Sequence, residues 1–132
     1  SLSDILTIKP QTGHKQALAM MAASDVLLLF IASHRENSVL TGKLFEYLRS
    51  GKNILAMVPS QGEAARILRS LGHNYLCPME NVAAVKDMIL QIWADLESGR
   101  TGNYQIDSNY SRENQTRELA GRLNKLTGHE SE

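Results

Sequence analysis

Thr41, Gly42 and Lys43, with Glu46 one turn further on, have the residue types and spacing to hold a diphosphate and a pentose. Thr41 can cap a helix, and the first turn of a helix presents unpaired amides and roughly half a positive charge, which attracts anions. Gly42 lets a ligand approach the backbone closely, and Lys43 adds a full charge. Glu46 offers two acceptor oxygens that can grip vicinal hydroxyls such as those of ribose. A plain helix start also satisfies these residues: Gly42 as a turn, Lys43 as a solvated cation, and Glu46 as a partner for Arg49 or Ser50.

Other reactive side chains are isolated. His14 reads as a polar residue opening a helix, His34 as a solvent-facing loop residue, His73 as the start of a strand, and His129 as part of the tail. No two histidines have metal-ligand spacing and the single cysteine, Cys77, has no base nearby in sequence, so neither a metal site nor a thiol nucleophile is expected. One cysteine also makes no intramolecular disulfide, which fits a reducing, cytoplasmic setting. The methionines read as gap-filling residues in or near the core.

The elements that must position these groups alternate between short apolar runs and segments of helical period, the pattern of strands joined by crossover helices. Ile5 to Ile8 reads as a strand stopped by Lys9-Pro10, and His14 to Ser24 as a helix with Ala17, Leu18, Met21 and Ala22 on one face. Val26 to Ile31 is apolar without alternation, which predicts a strand buried on both faces of a parallel sheet. Thr41 to Ser50 reads as a helix with Leu44, Phe45 and Leu48 inward, stopped by Gly51 in the left-handed conformation that glycine accepts. Asn53 to Val58 is the next strand. Ser60 and Glu63 have capping-box spacing ahead of Ile67, Leu68 and Leu71. Asn74 to Cys77 reads as a short strand. Val82, Val85, Met88, Ile89, Ile92, Trp93 and Leu96 stripe a long helix, and Leu119, Leu123 and Leu126 mark a weaker one over Ser111 to Thr127. The fold class is thus α/β: a Rossmann-like parallel sheet of about four strands with flanking helices. Residues 1–98 form its body, and 99–132 a loop and peripheral helix of the same domain. Ligands of such sheets gather beyond the carboxyl ends of the strands.

Composition narrows the partners. The 132 residues carry 14 Lys plus Arg against 14 Asp plus Glu, so no broad basic face for nucleic acid is expected. The longest apolar run, Val26 to Ala32, falls far short of the ~20 residues of a membrane span. The sequence opens on Ser1-Leu2-Ser3, as an excised piece of a longer chain would.

The stretch TGKLFEYLRSGKNILAMVP, preceded by GHKQALAMMAASDVLLLF and followed by GEAARILRSLG, resembles the carboxyl-terminal donor-binding domain of GT-B glycosyltransferases, especially the retaining family 4 group. The likeness is collinear over about residues 5 to 126. It implies that Thr41, Gly42, Lys43, Leu44 and Glu46 bind a nucleotide-diphosphate sugar, UDP- or GDP-linked, with Lys9 and Gln11 beside the base. In the family's Glu-x7-Glu pattern Glu46 stands at the second glutamate. Ser38 stands at the first, with Glu36 nearby but out of register, and Asn53 replaces the usual proline after Gly51-Lys52.

The resemblance further implies a fragment without the amino-terminal acceptor domain and without two leading strands, inactive alone, with no catalytic residue and no cofactor of its own. The strand Val26 to Ile31 would then be an open apolar edge, covered by Leu2 to Ile8 or by a second chain in a homodimer. Two other readings stand beside it: a nucleotide-sugar epimerase of the same fold, whose catalytic acids are not found, and a non-catalytic flavodoxin-like or receiver-like module. The strand ends at Lys9, Ala32 and Pro59 lack the acidic residues a receiver needs.

Overall fold

The computed structural model describes residues 1–32, 40–100, 102, 104 and 112–127. Within them the chain is α/β. Strands β1 (Val26–Phe30), β2 (Asn53–Met57) and β3 (Leu76–Cys77) form a parallel sheet in the order β1-β2-β3. Val26 lies opposite Asn53, Phe30 opposite Met57, and Leu76 opposite Ala56. The helices are α1 (His14–Ala23), α2 (Gly42–Ser50), α3 (Glu63–Ser70), α4 (Val82–Glu97) and α5 (Arg112–Thr127), after a single 3-10 turn at Leu2–Asp4.

The centre of the sheet is the part with helices on both faces, so β2 is buried at every position. On one face Leu29, Ile31, Ile54, Ala56 and Val58 pack against Leu44 and Leu48 of α2 and against Ala64, Ala65, Ile67 and Leu68 of α3. On the other, Leu55, Met57, Tyr75 and Cys77 pack against Ile92 of α4, with Val85 and Met88 at the margin. Each fully buried side chain of this size stabilises the fold by about 1.5–3 kcal/mol relative to exposure.

Several expectations need correction. Three strands form among the described residues, not about four: the segment Ile5 to Ile8 is outside the sheet, with Ile5 81% and Ile8 84% exposed. A strand exists only through a partner, and no described strand lies beside this segment, while Pro10 removes a ladder donor. Leu2 to Ile8 therefore does not cover the β1 edge. Nor is β1 buried on both faces. Leu27 and Leu29 are buried, but Leu28 is 43% and Phe30 54% exposed, because α4 packs on β2 and β3 and reaches the same face of β1 only at the half-buried Val26.

The helix starts also differ in detail. The expected Ser60–Glu63 capping box does not form: Gly62 is the N-cap of α3, and the Glu63 carboxylate is taken by the Arg66 guanidinium, whose hydrogen bond holds it below its ordinary pKa. At α4 Asn81 caps instead, its Oδ1 accepting from the Ala84 amide at 3.0 Å. Of the expected α4 stripe, Val85, Met88 and Ile92 meet the sheet, whereas Val82, Ile89 and Trp93 are exposed. Leu119 and Leu123 of α5 are likewise exposed.

Gly51 ends α2 as expected, at φ 67° and with its amide donating to the Leu48 carbonyl. A side chain at that φ is strained whatever the space around it. Gly51→Ala should lower stability by about 1–2 kcal/mol, measured as a fall in the urea midpoint; an unchanged midpoint would show that the turn relaxes freely.

Candidate functional site

The α2 helix follows β1 and runs back along the sheet, so its N-terminus stands at the carboxyl end of the strands, where ligands of such sheets bind. Thr41 is the N-cap by backbone conformation, but its side chain makes no capping hydrogen bond. Its Oγ1 is buried without a partner among the described residues. The Leu44 amide is already used, donating to the Thr41 carbonyl at 3.1 Å. The Gly42 and Lys43 amides have no hydrogen bond among the described residues, and a Cβ built on Gly42 meets nothing within 4 Å. Gly42 and Lys43 are exposed at this helix start among the described residues.

Beside it lies a cavity of about 750 Å³ between α1 and α2, within the range of small-molecule sites. Its α2 wall is Gly42, Phe45, Glu46, Arg49 and Ser50, with Lys52 beyond; its α1 wall is His14, Leu18, Met21 and Ala22. Spacing alone explains this wall: residues three and four apart share one helix face. The apolar face expected on α1 is real, but it lines this cavity. No α1 residue is buried.

The structure sorts the sequence candidates. Gly42 and Glu46 share the cavity, and Glu46 is exposed to it with no ion pair to Arg49 or any other described residue. Ser50 is engaged elsewhere, its hydroxyl donating to the Tyr47 carbonyl at 2.6 Å. Lys43 is exposed beside the cavity mouth's helix start but does not line the wall. Leu44 is fully buried in the core, so its side chain cannot touch a solute. Lys9 and Gln11 are exposed in the irregular stretch before α1 and lie outside the lining. His34, Glu36 and Ser38 fall outside the described residues, as does His129.

Sequence reasoning underrated His14, Arg49 and Lys52, which add cationic or hydrogen-bonding groups to the same wall. The signal available was helical spacing from Glu46 to Arg49. Nothing local in sequence marks His14, which arrives from another helix.

His73 was also missed. It sits at the opposite end of the sheet, 1% exposed, with neither ring nitrogen hydrogen-bonded among the described residues. Its ring stacks on Tyr104, centroids 3.7 Å apart, and burial pushes its pKa down from 6.5 to about 4. Nearby, the buried Asn53 side chain accepts from the Gly102 amide at 3.2 Å, tying the entrance of β2 to the segment after α4. Tyr75 donates to Asp95 at 2.7 Å and Arg100 reaches the same carboxylate at 2.9 Å. Burial, helped by that carboxylate, pushes Tyr75 up to about 12.

Among the described residues no three His, Cys, Asp or Glu side chains come together to hold a metal ion. Cys77 is buried, which pushes its thiol up and makes it a poor nucleophile. No helix of the described residues is long and apolar enough to cross a membrane. Comparison with protein-family models, with curated proteins and with solved structures gives no match.

Proposed function

We propose that this chain is the donor-binding part of a glycosyltransferase, taking a nucleotide-diphosphate sugar, UDP- or GDP-linked, in the cavity between α1 and α2. The observation that carries the proposal is the shared wall: Gly42 and an exposed Glu46, without an ion pair among the described residues, line one cavity that runs along α1 and α2 and reaches the α2 N-terminus. The diphosphate sits against the α2 amides, with Lys43 and His14 to either side. Glu46 clasps the ribose hydroxyls, and the base extends toward the segment that leads from Lys9 and Gln11 into His14. In the complete enzyme the α2 terminus and Lys43 stabilise charge on the departing diphosphate, the kind of fixed electrostatic assistance that contributes most in such reactions. Glu46 orients and moves no proton, so the chain alone binds donor without transferring sugar.

Calorimetric titration with UDP, GDP and ADP tests the site. One saturable site is expected, and Glu46→Ala should weaken it at least about tenfold, the loss of a charge-assisted hydrogen-bond pair. Because Glu46 is exposed, thermal stability should change by less than about 0.5 kcal/mol. Unchanged affinity in the variant removes the ribose assignment. Sugar transfer to an acceptor by this chain alone would refute its inactivity.

A further inference from the structure

The cavity between α1 and α2 continues beyond Glu46. Both helices finish at the amino end of the sheet: only Ser24 and Asp25 separate Ala23 from Val26, only Gly51 and Lys52 separate Ser50 from Asn53, and Val26 lies opposite Asn53. The lining runs from His14 and Gly42, where the helices start, to Ala22 and Ser50, where they end. Eight residues of helix cover about 12 Å, so the two ends of the cavity are well separated.

The far end combines apolar walls with positive charge. Leu18, Met21, Ala22 and Phe45 present apolar surface to the cavity, and α1 buries none of its residues. Arg49 and Lys52 line the same end. Neither side chain makes an ion pair or a hydrogen bond among the described residues. Glu46, one turn before Arg49, leaves that guanidinium unpaired. Asp25, at the same end of the sheet, neither lines the cavity nor pairs with either cation among the described residues.

This charge pattern selects the occupant. Counting Arg49, Lys52 and Glu46, the lining carries one net positive charge, which a monoanion balances. The planar guanidinium fork matches the two oxygens of a carboxylate, and the lysine ammonium adds further donors. An aliphatic chain attached to that carboxylate covers the apolar wall and removes its surface from water. We propose that this end of the cavity binds an aliphatic carboxylate, its chain against Leu18, Met21 and Phe45 and its head between Arg49 and Lys52. The site uses neither Gly42 nor Glu46, so it stands apart from the nucleotide assignment.

Calorimetric titration with octanoate should show one saturable site with a dissociation constant of about 1 mM or tighter. Octan-1-ol keeps the chain without the charge, and acetate keeps the charge without the chain. Each should bind at least about tenfold more weakly. Arg49→Gln should weaken octanoate at least about tenfold. Leu18→Asn should weaken it as well, by shortening the apolar wall. Both side chains are exposed, so the urea midpoint should hardly move in either variant. Glu46→Ala, which is expected to weaken UDP, should not weaken octanoate, and this separates failure of one site from failure of the other. No saturation with octanoate, equal affinity for octan-1-ol, or full affinity in Arg49→Gln would overturn the inference.

Discussion

Between pH 6.5 and pH 4 the protein is expected to lose about 3 kcal/mol of folding stability through His73 alone. Burial holds the folded-state pKa at about 4, below the ordinary 6.5. The unfolded chain therefore takes up the proton first as pH falls. Stability from keeping the ring neutral is complete above 6.5, declines as pH drops through the window, and stops changing below about 4, where both states are protonated. His73→Phe keeps an aromatic ring against Tyr104 and removes two nitrogens that find no partner among the described residues. Urea unfolding of the two proteins across this range should give a difference that grows toward acid, with the variant the more stable at pH 4. Parallel pH profiles would mean that His73 finds a partner or solvent in solution. Carboxylates shared by both proteins cancel in the comparison.

Leu44→Ala should lower stability by about 3 kcal/mol while leaving nucleotide affinity of the folded protein unchanged within about twofold. Leu44 is 0% exposed and packs with Leu29, Ile54 and Leu48 under α2. Truncating it leaves a cavity that the flanking strands and helices cannot close. Denaturant midpoint should fall with the slope preserved, the mark of a change in stability alone. Weakened binding at unchanged stability would instead return Leu44 to the ligand. The contrast with Glu46→Ala is the useful result. Two residues apart on α2, one variant should act on folding and the other on binding, because a helix turns its side chains about 100° per residue.

The region from Thr41 to Val58 was legible because its signals are local. Helical period puts Leu44 and Leu48 on one face and Gly42, Glu46 and Arg49 toward another. A glycine at Gly51 accepts the positive φ that ends the helix, and an unbroken apolar run makes β2. The Glu46 side of the candidate site was readable for the same reason. Its other wall was not, since His14, Leu18 and Met21 reach the cavity only through the packing of α1 on α2.

Where coverage or partnership decides, the residues themselves are silent. Ile5 to Ile8 and Val26 to Phe30 are both apolar runs, yet only the second finds a strand to pair with, and even it has one face largely bare. Polar letters mislead in the opposite direction: His73 lies deeper than Leu28 because a helix end and Tyr104 enclose it. By itself the amino-acid sequence determined the alternation of strands and helices from α1 onward, the α2 cap positions and the residues sharing a helix face, all set within one or two turns of chain. Which faces are covered and which titratable group loses its water were decided only in the tertiary structure, because burial depends on neighbours brought from elsewhere in the chain.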